Sequence, residues 1–181
     1  SMDEELKKLV KENEDLNRRV REEAERLRKE NEKVDEDAER EDKRLHDKAE
    51  RVLRELRRRI RKEELDRVRR ELERVNEENR ELLERNKEES KRFREEVERT
   101  LEENRKLSEE LKKKMEDIKD GDERTVTELL KEYRELVRRV EERVKKILKE
   151  YKEEVEEVKR RLEESLKDIE RKIDEIRRRA T

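Results

Sequence analysis

Few side chains in this sequence are of a type that does chemistry, and their spacing limits what they can do. His46 is the one histidine, and an imidazole can serve as a general base or a metal ligand. A zinc site takes three or four donors, and no second histidine stands one helical turn away. His46 therefore reads as a residue of a polar layer or its rim. The chain carries 59 Asp and Glu residues, so carboxylate pairs at acid–base spacing arise everywhere without implying a function. Catalytic carboxylates need a cleft that perturbs their pKa values, and a thin helical assembly offers none. The densest basic clusters, Arg57 to Lys62 and Arg177 to Arg179, have the charge to grip a polyanion. No aromatic residue interleaves with them to stack on bases, and such runs usually pair with neighbouring glutamates on a solvated face. Tyr133, Tyr151 and Phe93 are the only aromatic rings, and their positions suit a packed core better than a ligand box. The reading expects no enzymatic activity, no cofactor, no metal and no small-molecule substrate.

The composition agrees. Of the 181 residues, 64% are charged and 27% apolar, against about 25% and 45–50% in an ordinary globular domain. Such a chain cannot build a thick core. The absence of Cys excludes a disulfide framework. No apolar run exceeds two residues, whereas a membrane span needs about 20. The net charge is −2 with the signs interspersed, unlike the one-signed surface of a nucleic-acid binder. High charge with low hydrophobicity also describes disorder, so a periodic apolar stripe has to be found before a fold is claimed.

The stripe is present. Apolar or small polar residues recur in steps of three and four from Leu6 through Leu16, Leu27, Asn31, Val34 and Leu45 to Ile60. After one five-residue step they resume at Leu65 and run through Leu82, Phe93, Leu101, Asn104 and Leu107 to Ile118. A third series runs from Val126 through Tyr133, Val144, Tyr151 and Leu162 to Ile176. This spacing marks one buried helical face, and strand alternation is absent. The stripe is thinnest over 32–48, where Asp35 is a potential helix start. Asp120-Gly121-Asp122 is the one strong break, with Gly121 suited to end a helix and Asp122 to cap the next. The reading is one long helix over 3–119, a loop at 120–122 and a second helix over 123–179, within a single elongated helical domain covering 1–181.

Length arithmetic divides the chain into thirds of about 60 residues, the unit of an antiparallel three-helix bundle. Neighbours should then face each other where residue numbers total about 121 or about 241. The rare uncharged polar residues test this, because buried polar groups need partners at their own level. Three layers follow: Asn13, Ser108 and Tyr133 with Asn17 and Asn104; Asn31, Ser90 and Tyr151; and His46, Asn76, Asn79 and Ser165 with Asp42. Their role is to fix register, since a slipped pairing strands polar groups in an apolar layer.

A monomeric bundle needs a turn near residue 60, where the chain reads Leu56-Arg57-Arg58-Arg59-Ile60-Arg61-Lys62-Glu63-Glu64. No Gly, Pro, Asn, Asp, Ser or Thr stands there, and nearly every residue favours a helix. An unbroken helix of about 175 Å would carry 1–60 away from 61–120, and a second chain would supply the missing neighbour. Leu56, Ile60 and Leu65 would lie at the crossover of a domain-swapped homodimer. Two alternatives stand beside it: a monomeric, spectrin-like three-helix rod with a tight turn near 60, and a module that recruits another helix or an anionic surface to 1–60.

With these features the sequence resembles a de novo designed helical bundle, specifically a three-helix domain-swapped dimer. The Ser1-Met2 start resembles an expression scar. Surfaces filled with Glu, Lys and Arg but no Gln, the minimal Asp120-Gly121-Asp122 loop and the discrete Asn/Ser/Tyr layers complete the likeness. The fold class it implies is all-α, an elongated antiparallel three-helix coiled-coil bundle. The function it implies is that of a structural scaffold whose partner is a second copy of itself, with no nucleic acid and no membrane.

Overall fold

Three amphipathic helices carry the chain in a computed structural model that describes residues 2–118 and 122–179. They are α1 (Met2–Leu56), α2 (Lys62–Glu116) and α3 (Glu123–Arg179). They pack as an all-α three-helix bundle, and the described residues contain no strand. Outer faces rich in Glu, Lys and Arg are good helix formers and pair with one another one turn apart. Arg105 bridges Glu102 and Glu109 at 2.6 and 2.9 Å, and Arg160 bridges Glu157 and Glu164 at 2.7 and 2.9 Å. Such exposed pairs contribute only about 0.3–0.5 kcal/mol each, so the helices depend on burying their apolar faces. No helix among the described residues is long and apolar enough to cross a membrane.

The expected unbroken helix over 3–119 does not form. α1 stops at Leu56 and α2 starts at Lys62, with a turn over residues 57–61. The turn is made without any residue at positive φ, so the missing Gly or Asn is not needed. The Arg59 and Ile60 amides both donate to the Leu56 carbonyl, at 2.8 and 3.1 Å. The Glu64 and Leu65 amides both donate to the Arg61 carbonyl, at 3.1 Å each. The physical reason is that helix propensity is worth only a few tenths of a kcal/mol per residue. Burying a leucine is worth about 1.5–3 kcal/mol, and within one chain the stripe is covered only if the chain folds back. The sequence signal was the five-residue step between Ile60 and Leu65, which breaks the helical spacing there.

Asp120 and Gly121 lie outside the described residues. On their far side Asp122 caps α3: its Oδ1 accepts from the Arg124 amide at 3.3 Å, and its carbonyl accepts from Thr125 and Val126 at 2.9 and 3.2 Å. At α1, Asp35 starts no new helix, since α1 runs through it.

The chain divides into two units, each with a segment of every helix. Unit 1 comprises Ser1–Arg28 and Ser90–Lys152. Its core contains Leu27 of α1, Val97 and Leu101 of α2 and Leu130 and Val144 of α3, with the rings of Phe93 and Tyr151 stacked 3.8 Å apart. Within it α1 and α2 run antiparallel, as the Lys112–Glu14 and Arg21–Glu98 pairs require. Unit 2 comprises Lys29–Glu89 and Glu153–Thr181. Its core joins Leu45, Leu53 and Leu56 to Leu65, Leu72 and Leu83 and to Leu162 and Ile173. Arg44 and Lys48 reach Glu170, and Lys48 also reaches Asp174, so α1 and α3 run parallel there. Val52 and Leu53 are both buried, as are Leu82 and Leu83. A helix with two neighbours has to bury a wider face than a single seam. Leu107, expected on the stripe, is instead 45% exposed, while Ser108 beside it is buried.

Candidate functional site

The residues that distinguish this bundle from a plain apolar core are its buried polar side chains. In unit 1 Asn13, Asn17, Asn104, Ser108 and Tyr133 form one network. Asn104 donates from Nδ2 to Asn13 Oδ1 at 2.8 Å and to Asn17 Oδ1 at 2.9 Å. Asn13 Nδ2 donates back to Asn104 Oδ1 at 3.3 Å and reaches the Tyr133 hydroxyl at 3.5 Å. The Tyr133 and Ser108 hydroxyls meet at 2.5 Å. All three helices contribute, and Asn104 and Tyr133 are both 0% exposed. An unpaired polar group at such depth costs about 1–3 kcal/mol, so this set of bonds is available only in one register.

Also in unit 1, the Ser90 and Tyr151 hydroxyls lie 3.0 Å apart. The Tyr151 ring lies parallel on Phe93, which orients its hydroxyl. Asn31 belongs to unit 2. There Asn86 donates from Nδ2 to Asn31 Oδ1 and to Asp35 Oδ1, both at 2.7 Å. The spacing marks Asp35 only as a potential helix start, and it does not anticipate this pairing with Asn86. Asp35 is buried, and that burial pushes its carboxyl above the ordinary aspartate range; the Asn86 hydrogen bond offsets part of the rise.

The third expected layer is only partly assembled. Ser165 donates to Asn79 Oδ1 at 2.6 Å. Asn79 Nδ2 and Asp42 Oδ1 are buried with no partner among the described residues. Burial raises the Asp42 carboxyl above its usual range, against the positive fields of Arg80 and His46. His46 does not enter the layer. It is exposed, and it makes no side-chain hydrogen bond among the described residues. Asn76 is half-buried and likewise unbonded. A register of residue numbers sets a side chain's level along the axis but not its direction around it. His46 is exposed and Asn76 only half-buried, so at an appropriate level along the axis neither side chain turns into the layer.

At the turn, Leu56 and Leu65 are buried in the unit 2 core and Ile60 packs against it half-buried. Of the three residues expected at a crossover between chains, Leu56 and Leu65 thus flank a turn within one chain and Ile60 lies in it.

Protein-family models, curated proteins and solved structures were compared with the chain, and none matches. The chemistry of the site is read from its own groups. Its members are amides, hydroxyls and two carboxylates raised by burial, which satisfy one another except at Asn79 Nδ2 and Asp42 Oδ1. None of the amides or hydroxyls is paired with a base in the geometry of an activated nucleophile. Among the described residues, no three His, Cys, Asp or Glu side chains are grouped to hold a metal ion. The arrangement links the three helices through buried hydrogen bonds.

Proposed function

We propose that the protein is a designed structural scaffold whose activity is self-association by exchange of α1 between two copies. The observation that carries this reading is the composition of the 57–61 turn. Arg57, Arg58, Arg59, Ile60 and Arg61 include no residue that prefers a turn, and every other member except Ile60 is a strong helix former. Arg59 and Ile60 already hydrogen-bond back to Leu56 in helical fashion. Straightening this segment completes the interrupted hydrogen-bond ladder and joins α1 to α2. The contacts of α1 with α2 and α3 are then remade with α1 of the second copy, as in any reciprocal swap. The opposing term is the entropy of association, so protein concentration shifts the balance toward the dimer. The buried polar layers make the exchange faithful, because only a partner in the same register satisfies them.

A second reading is favoured by the closed chain itself, in which three helices pack around an intrachain turn and leave α1 no unpaired stripe. On that reading the protein is a monomeric three-helix scaffold. Inserting Gly-Asp-Gly between Ile60 and Arg61 separates the two. If α1 exchanges, the unmodified chain is a dimer and the insertion yields a monomer slightly heavier than the 22.7 kDa chain, with unchanged helix content. If the monomer reading holds, both proteins have the monomer mass.

A further inference from the structure

The two densest basic clusters lie about 120 residues apart in sequence and both lie toward one end of unit 2. Lys48 pairs with Asp174, and Lys172 pairs with Glu71 at 2.9 Å. Counting on from these pairs at about 1.5 Å per residue, Arg177–Arg179 sit level with the end of α1 and the start of α2. Arg179 is near enough to α2 to help hold the Glu71 carboxyl below its ordinary range. Over residues 54–64 and 174–179 there are nine Lys and Arg against five Asp and Glu, although the whole chain is slightly acidic.

Some surface arginines meet a carboxylate one turn away, as Arg26 meets Glu23 at 2.5 Å. Arg57, Arg58, Arg59, Arg61, Arg177 and Arg179 meet no carboxylate at ion-pair distance among the described residues. Helix-end electrostatics account for cations in the last turn of a helix, which covers Arg54 in α1 and Arg177–Arg179 in α3. They do not account for Arg57–Arg61, which lie beyond α1. The turn residues Arg57, Arg58, Arg59 and Arg61 are exposed, so their guanidinium forks are open to solvent.

We infer that this end of unit 2 is a binding site for a polyvalent phosphate anion. Guanidinium groups bind phosphate oxygens through paired, charge-assisted hydrogen bonds. In the closed chain, a cluster drawn from the turn and a neighbouring helix end suits a ligand that carries several closely spaced phosphates. The absence of aromatic residues from the cluster leaves nothing for a base to stack on, which favours the phosphate chain itself over a nucleic acid.

The test is calorimetric titration of the full chain with inorganic tripolyphosphate at about 20 mM salt, where screening is weak. The variant Arg58→Gln/Arg59→Gln/Arg177→Gln/Arg179→Gln is compared with Lys7→Gln/Lys8→Gln/Lys11→Gln/Lys106→Gln, which removes the same charge from exposed positions of unit 1. Thermal unfolding of each variant verifies that it is folded. The expected result is one site per chain, weakened about tenfold or more in the first variant and within about twofold of the parent in the second. Equal weakening in both variants, or no binding at low salt, overturns the inference.

Discussion

Asn13 and Asn104 exchange hydrogen bonds reciprocally: each Nδ2 donates to the other's Oδ1, at 3.3 and 2.8 Å. Both are buried, and they join α1 to α2 at one level in unit 1. Asn104→Leu removes half of this pair and leaves the buried Asn13 amide short of a partner. The expected cost is about 1–3 kcal/mol, read from urea unfolding. The double variant Asn13→Leu/Asn104→Leu should be more stable than the single one, because it strands fewer polar atoms. A single variant within about 0.3 kcal/mol of the parent would contradict the role given to the pair.

The Ser90–Tyr151 contact can be tested without disturbing the ring stack. Tyr151→Phe keeps the overlap with Phe93 and deletes only the hydroxyl. A double-mutant cycle with Ser90→Ala should give a coupling of about 0.5–1.5 kcal/mol. Coupling near zero would mean that the two hydroxyls are satisfied independently.

Asp35 and Asp42 give the protein a distinctive pH response. Burial raises both carboxyls above the ordinary aspartate value, so the folded state binds their protons more tightly than the unfolded chain does. Their contribution to stability therefore increases as pH falls from above the raised values toward the ordinary value near about 4. Above that window the buried charge is a fixed cost. Asp35→Asn should raise the denaturation midpoint at pH 7 and have less effect at low pH, because a neutral amide can still accept from Asn86. Exposed carboxylates such as Glu23 and Glu71, which are lowered by Arg26 and Lys172 respectively, act in the opposite sense. The difference between parent and variant isolates Asp35. A difference that does not vary with pH would contradict this assignment.

Leu101 and Leu107 have the same side chain six residues apart on α2, yet Leu101 is 1% exposed and Leu107 45%. Leu101→Ala should cost about 2–5 kcal/mol. Leu107→Lys should change stability by less than about 0.5 kcal/mol. Similar losses from the two would mean that Leu107 is covered in solution, by another molecule or by a different packing.

These contrasts mark how much of the molecule was legible in its sequence. Apolar spacing is a local consequence of helical geometry, and it located the buried faces of all three helices. The Asp122 cap was legible for the same reason. Residue arithmetic put Ser108 level with Tyr133 and Ser90 level with Tyr151, because antiparallel helices of equal rise keep a constant register. It failed for His46 and Asn76, whose level is appropriate but whose direction around the helix is not. Asp35 was legible as a potential helix start but not as a buried carboxylate, because its partner Asn86 comes from another helix. The turn over 57–61 stood only as an alternative because helix propensity speaks for isolated segments, whereas the fold-back is driven by apolar residues far along the chain. Only the skipped step between Ile60 and Leu65 registered it.

The central claim is that α1 is exchanged between two copies through residues 57–61, and particle mass in solution tests it most directly. Multi-angle light scattering of the unmodified chain, across a range of concentrations, should give twice the chain mass of 22.7 kDa, falling toward the chain mass on dilution. A mass of 22.7 kDa at every concentration would contradict the exchange and leave the closed three-helix monomer as the working form.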